Sequence, residues 1–447
     1  MAACGAAVLQ AGRRDRPVGA SVDSRQVAPG DLFFGLRGER VDGGAFARSA
    51  LERHAWGVVV EPGRAREVAD AGAEGWILAA RDPLGALARL ATEWRRELDC
   101  PTVGITGSTG KTSVKDICRA IFPLRIHASP ENFNTEVGLP LAILAAPPET
   151  EVLVLEMAMR GKGQIAELCG IAEPGIGAIT NIGPVHLELL GTIEAIAEAK
   201  AEILTGIGPR GVAVVPADAE ALAPHLDDAL RTITFGPGGD VFVRRRAGDG
   251  QRTRAEVVTP AGDAELELPF GELHNLTNAL CAVAIGLALD TPLPAMAARA
   301  PRITFSRLRG ETIDLAGGIT LVNDCYNANP VSMRAALDHL ATLRGHDRRI
   351  AVLGEMLELG SGAATFHREV GAHARGLAIA PIIGVGELAR DYAPDVWVAD
   401  AATAADALDR RLRSGDAVLV KGSNAVGLDL VADELLARRG EAHAAGR

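Results

Sequence analysis

At 447 residues, 48% of them hydrophobic and 23% charged, the chain exceeds one ordinary core and reads as two or three soluble globular domains. Its 46 Lys and Arg against 57 Asp and Glu give a net charge of −11, which argues against a partner gripped through nucleic-acid phosphates. Six cysteines at irregular gaps, with no CxxC pair, suggest neither a disulfide framework nor a zinc site, and no window approaches the roughly 18 apolar residues of a membrane span.

The N-terminal stretch "MAACGAAVLQAGRR" places its arginines after its apolar run, the reverse of a signal peptide, so a cytoplasmic protein is expected. Residues 1–82 carry short strand-like pieces, "WGVVV" and "GWILAA", and form the first predicted domain. "DPLGALARLATEWRREL" predicts a helix that opens a second domain over 83–300. There "TVGIT", "EVLVLEMA", "GIGAITNIG" and "GVAVVPAD" alternate with helical segments, the order of a parallel sheet covered by helices. The three prolines of "TPLPAMAARAPRITFSR" predict a linker into a third domain, 301–447. That domain repeats the pattern with "GITLVND", "RRIAVLGE", "APIIGVG" and "DAVLVKG". Ligands of open α/β sheets gather at the carboxyl ends of the strands, so polar residues there are the candidates for function.

Residues 101–116, "PTVGITGSTGKTSVKD", set a short strand, a glycine loop and an amphipathic helix in succession. Val114, Ile117, Cys118, Ile121 and Phe122 share one helical face. This is the context of a phosphate loop, in which backbone N–H groups and a helix N-terminus surround phosphate oxygens. Gly107, Ser108, Thr109, Gly110, Lys111, Thr112 and Ser113 are the candidate contacts. Lys111 is expected to reach the terminal phosphates and the Thr112 hydroxyl to touch Mg²⁺. Ile105 stands where the usual spacing has a glycine, so the loop is a variant. Glu156 closes the strand "VLVLE" as a candidate metal-holding acid, and His186 follows in "TNIGPVHLELLG".

In "TIEAIAEAKAEIL", Lys200 shares a helical stripe with Ile193, Ile196, Ile203 and Leu204. A buried ammonium must be paired or lose its charge, so Lys200 is either a snorkelling side chain or one paired with, or converted to, an anion beside a metal. Further on, His274, Asn275 and Asn278 gather at the first turn of an apolar helix. Asn275 reads as an N-cap, and the group of three fits a small planar ligand such as a nucleobase.

Together these motifs resemble the Mur ligase family of cell-wall enzymes. The loop "GITGSTGKT" is similar to that family's GxTGSxGKT variant, which accounts for Ile105. "VDSRQVAPGDLFFGLRGERVDGGAF" is similar to its uridine-nucleotide-binding region, and "NDCYNANPVSMRAAL" and "VLGEMLELG" look like signatures of one branch. That branch joins D-alanyl-D-alanine to UDP-N-acetylmuramoyl-tripeptide, and the Asp-Asn-Pro-Arg stretch of the sibling that adds the third amino acid is absent.

The resemblance implies an α/β chain of three domains: a small N-terminal domain for the UDP substrate, a central P-loop parallel-sheet ATPase domain and a C-terminal Rossmann-like domain. It implies ATP and Mg²⁺, an acyl-phosphate intermediate, and a catalytic set of Lys111, Glu156, His186 and Lys200. Thr112, Glu156, His186 and Lys200 as its carbamate are the implied metal ligands. His274, Asn275 and Asn278 match an adenine-contacting segment, Asn134 another part of the ATP site, and Arg307 and Asp324 nucleotide contacts of the last domain. Ser24, Arg25, Tyr326, Asn327 and Asn329 are the implied substrate contacts. Gly44, Ala158 and Gln164 depart from the family pattern, which has histidine, glycine and glutamate there. A monomer is expected. Sibling ligases and folylpolyglutamate synthetases are the nearest enzyme alternatives, with a P-loop switch or motor and a regulatory relative without activity as the others.

Overall fold

The computed structural model describes residues 4–12, 16–130 and 132–440, so Arg13 and Arg14 of the N-terminal stretch lie outside the described residues. Strands β1 (Ala7–Gln10), β2 (Gly19–Ser21), β3 (Asp31–Phe34), β4 (Gly57–Val60) and β5 (Trp76–Ala79) pair in the order β1-β5-β4-β3-β2. β2 to β5 run parallel, and β1 is antiparallel at the edge. All four residues of β4 are buried because apolar clusters cover both faces of the sheet. Helices α1 (Ala47–Glu52), α2 (Pro62–Asp70) and α3 (Pro83–Leu98) follow. α3 begins where the spacing predicts, with Pro83 in its first turn and the Asp82 carboxylate accepting from the Gly85 N–H at 2.9 Å.

The middle of the chain runs β6 (Thr102–Thr106), α4 (Lys111–Ile121), β7 (Ile126–Ala128), α5 (Gly138–Leu144), β8 (Val152–Glu156) and α6 (Gln164–Ala172). It continues through β9 (Ile176–Ile179), α7 (Leu187–Leu190), α8 (Ile193–Gly206), β10 (Val212–Pro216) and β11 (Arg231–Phe235). β6, β8 and β7 pair in parallel, and the strands expected in this region all form. The expected alternation of strands and helices then stops. β12 (Phe242–Gly248), β13 (Thr253–Thr259) and β14 (Gly262–Leu268) form an antiparallel meander instead. Its origin is a period of two: Thr253, Ala255, Val257 and Thr259 are buried, while the residues between them are more exposed.

Helix α9 (Leu273–Ala288) begins earlier than expected, with Glu272 as its N-cap. Asn275 is therefore inside the helix, which corrects its reading as a cap. The three-proline stretch is not an extended linker either. It folds as α10 (Leu293–Arg299) and a tight turn, because Pro292 and Pro294 sit at the cap and first turn, where a missing N–H costs nothing.

In the last region β15 (Glu311–Leu315), β16 (Ile319–Asn323), α11 (Pro330–Thr342), β17 (Arg349–Gly354), α12 (Ala363–Gly376), β18 (Ile382–Val385), β19 (Val396–Val398), α13 (Ala401–Asp409), β20 (Ala417–Lys421) and α14 (Asp429–Arg439) follow one another. The sheet order is β15-β16-β20-β17-β18-β19, parallel except for β15. The four predicted strands are its centre, buried at every residue but Arg349. The two edges, one polar and one only three residues long, carry too weak a pattern to be read in advance.

The chain packs as two units. One comprises Met1–Thr106, Leu124–Gly177 and Glu202–Val212, and the other Gly107–Pro123, Ala178–Ala201 and Ala213–Arg447. Among the described residues no helix is long and apolar enough to cross a membrane.

Candidate active site

The glycine loop lies in the second unit, between the end of β6 and the start of α4. Gly107 and Gly110 have φ of 148° and 81°, a region that residues with a Cβ rarely adopt. A Cβ on Gly107 would overlap Thr180 Oγ1, and one on Gly110 would come within 2.4 Å of Asn278 Oδ1. The two glycines thus allow the loop to be gripped closely from β9 and α9.

Thr180 Oγ1 donates to the Thr109 carbonyl, and Asn181 Nδ2 to Thr109 Oγ1. Asn181 Oδ1 accepts from the Thr109 N–H at 2.9 Å. The Ser108 hydroxyl exchanges two hydrogen bonds with Gly183, at 3.0 and 2.9 Å. Lys111 Nζ donates to the Gly107 carbonyl at 2.8 Å, so its ammonium lies over the loop it is expected to serve. Thr112 and Ser113 are buried at the start of α4. Thr180 and Asn181 were not singled out by sequence. Their signal was a polar pair closing an apolar strand.

Lys200 is buried on α8 as its stripe requires, with 2% of its surface exposed. Among the described residues no carboxylate stands in ion-pair contact with it. Burial pushes its ammonium well below the ordinary value of 10.5, and the charge of Lys111 pushes the same way. His186 caps the one-turn helix α7 in the left-handed region, at φ 52°. Its Nδ1 is 2.6 Å from Glu358 Oε2. Burial lowers its pKa against the pull of Glu358, and Lys200 and Lys111 lower it further. These mutual effects put Lys111, Lys200 and His186 in one electrostatic neighbourhood.

A second group forms around the ends of β16 and β20. Lys421 Nζ lies 2.5 Å from Asp324 Oδ2 and donates to the Asn327 carbonyl at 3.0 Å. Lys421 is buried, and sequence reasoning passed over it because it ends an apolar strand. The Arg309 guanidinium stacks on the Tyr326 ring at 3.7 Å. Asn278 Nδ2 donates to Asn275 Oδ1 at 3.1 Å. The His274 pKa is lowered by burial and raised by Asp324 and Glu272, which brings the start of α9 within electrostatic range of this group.

Arg307 is exposed and reaches Asp433 at 3.4 Å. The neighbouring Ser306 is tied down, donating from N–H and hydroxyl to buried Asp116 of α4 at 2.8 and 2.7 Å. Asn327 Oδ1 accepts from the Ala328 N–H at 2.8 Å. Asn329 caps α11 in a reciprocal capping box with Ser332.

Glu156, Asn134, Ser24 and Arg25 belong to the first unit. Glu156 ends β8 opposite Ile105, buried, with its N–H donating to Ser129 Oγ at 3.2 Å. The Asn134 carbonyl accepts from the Ala158 N–H at 2.9 Å. Arg25 forks onto Asp23 with bonds of 2.9 and 2.7 Å and holds that carboxyl down at about 2. Ser24 lies between them in sequence. Gln164, at one departing position, accepts from the N–H groups of Arg160 and Gly161 and so closes the turn before α6. Gly44 donates its N–H to Asp42 Oδ1 at 2.9 Å.

Among the described residues no three His, Cys, Asp or Glu side chains converge as a metal site. Mg²⁺ asks for few protein ligands, because it keeps waters and substrate phosphates in its coordination shell.

Three successive stretches match known families: residues 18–93 the catalytic domain of the Mur ligase family, 105–286 the Mur ligase middle domain, and 308–424 the Mur ligase glutamate ligase domain. The UDP-N-acetylmuramoyl-tripeptide–D-alanyl-D-alanine ligase of Synechocystis is 36% identical over 434 residues, covering 93% of this chain and 91% of that protein. Among solved structures, MurF from Acinetobacter baumannii superposes with a TM-score of 0.84 at 28% identity, covering 94% of this chain and 93% of that one. MurF ligase from Thermotoga maritima, solved in complex with ADP, superposes at 0.83 and 29% identity over 95% of this chain and 100% of that one.

Proposed function

Because the chain belongs to the Mur ligase family, we propose that it joins D-alanyl-D-alanine to UDP-N-acetylmuramoyl-tripeptide at the expense of ATP, giving the UDP-linked pentapeptide of peptidoglycan synthesis. The observation that carries this reading is the likeness to ligases of that activity along almost the whole chain. The electrostatic neighbourhood of Lys111, Lys200 and His186 beside the glycine loop supplies the matching chemistry.

A carboxylate is a poor electrophile, so the tripeptide carboxylate first attacks the γ-phosphorus of ATP and releases ADP. The resulting acyl phosphate is attacked by the dipeptide amine, and phosphate leaves from the tetrahedral intermediate as the amide forms. The N–H groups of residues 107–113 hold the phosphates, and Lys111 neutralises charge on the transferring group. Asn275, Asn278 and His274 face the adenine, with Asn134, Arg307 and Asp324 as further nucleotide contacts. Ser24 and Arg25 meet the UDP substrate, and Tyr326, Asn327 and Asn329 the dipeptide.

Burial of Lys200 favours its neutral amine, the form that adds to CO₂ and loses a proton to become a carbamate. Thr112, Glu156, His186 and that carbamate would hold Mg²⁺, which when bound supplies positive charge to the phosphate oxygens. The nucleotide-linked substrates place the reaction in the cytoplasm, with the chain acting as a monomer.

The test is phosphate release from ATP by purified protein, with each substrate omitted in turn. Release is expected only with both the UDP-linked tripeptide and D-alanyl-D-alanine present, together with a pentapeptide product seen by mass. Release without the dipeptide, or none with any UDP-linked peptide, refutes this reading in favour of a sibling ligase or an inactive relative.

A further inference from the structure

We propose that Glu358 is a positioning residue for this reaction: its carboxylate faces His186 Nδ1 as the acceptor for an Nδ1–H, which selects the Nδ1–H tautomer and leaves the Nε2 lone pair as the one available to a ligand. The inference rests on the reading of His186 as part of the ligase site. Its basis is the 2.6 Å approach of Glu358 Oε2 to His186 Nδ1, within hydrogen-bond reach although the N–H is not yet in line with the acceptor.

The loop that presents Glu358 is fixed from behind at three successive residues. Glu355 Oε1 accepts from the Leu388 N–H at 2.8 Å, the Met356 N–H donates to His367 Nε2 at 3.0 Å, and the Leu357 N–H donates to Ser423 Oγ at 3.0 Å. Glu358 itself is held at φ 62°, opposite a His186 at φ 52°, so both partners adopt a backbone conformation that disfavours any residue with a Cβ.

The backbones meet as well. The Glu188 N–H points to the Glu358 carbonyl at 3.5 Å, and a Cβ on Gly360 would lie 3.2 Å from Glu188 Cα. Two strained residues facing each other across a pinned loop are what a fixed imidazole orientation requires. In the stretch "VLGEMLELG", the first glutamate thereby braces the loop and the second addresses the histidine.

The test begins with metal-free, ligand-free protein and the ¹⁵N–¹H correlations of the His186 ring, assigned by difference from His186→Gln. The wild type is expected as the Nδ1–H tautomer, and Glu358→Ala as a mixture. Glu358→Gln retains a carbonyl acceptor, so it should keep the wild-type tautomer and most of kcat. Glu358→Ala should lose about 10–100-fold in kcat, with KM for the dipeptide nearly unchanged. Gly360→Val, which pushes the loop off Glu188 and leaves the carboxylate intact, should shift the tautomer in the same way and covers the case of a poorly folding Glu358→Ala. An unchanged tautomer in Glu358→Ala and Gly360→Val overturns the proposal. Absence of ligase activity in the wild type would refute the functional reading instead, and the tautomer alone would then decide whether Glu358 positions His186.

Discussion

An ammonium placed in the apolar stripe of a helix must find an anion or give up its proton, and Lys200 has no carboxylate in ion-pair contact among the described residues. The consequence for stability has a definite sign. Unfolded, Lys200 holds its proton to about 10.5; folded, it releases it well below that. Between the two values the unfolded chain binds more protons, so stability rises with pH, while below the folded value the full cost of a buried cation remains. In CO₂-free buffer the urea midpoint of the wild type should therefore climb relative to Lys200→Met as pH is raised from about 6 to about 9.5. Added bicarbonate should stabilise the wild type and leave the variant unmoved. Parallel curves for the two proteins would mean that Lys200 keeps its charge in the fold. The stripe that exposes Lys200 is a local pattern of one helix, hence readable. Glu358 and Lys421 had no such pattern, because their partners lie 172 and 97 residues away.

The same contrast holds for elements. α4, α8 and the central strands of the last sheet follow from periodicity, because the apolar pattern that marks each one lies within the segment itself. The β12–β14 meander and the α10 helix departed from expectation for physical reasons. In the first, polar residues on alternate positions weakened a strand signal. In the second, prolines marked a helix start and not an open linker. Asn329 shows an element and a candidate site sharing one side chain, since it caps α11 with Ser332 returning the bond. Asn329→Ala should cost about 1 kcal/mol in stability, and Asn329→Ser, which can still cap, only a fraction of that. Thermal unfolding separates the two. If both variants retain the dipeptide KM of the wild type, Asn329 serves the helix alone.

For the molecule as a whole, ligand linkage gives the most direct readout. ATP at about 100 times its Kd should stabilise the unit carrying the glycine loop by about 2.7 kcal/mol, seen as a raised Tm in the presence of Mg²⁺. Lys111→Ala should lose most of that shift, and an unshifted wild type would remove the nucleotide from the glycine loop. The α/β class, the phosphate loop, the buried lysine and the family resemblance all stand in the linear order of residues, because each is read from patterns and motifs that are continuous in sequence. The grip of Thr180 and Asn181 on the loop, the Asp116–Ser306 tie, the Lys421–Asp324 pair and the approach of Glu358 to His186 come only from the folded chain. They join segments far apart in sequence, and burial and side-chain geometry, to which local spacing is blind, decide which of the many polar residues meet.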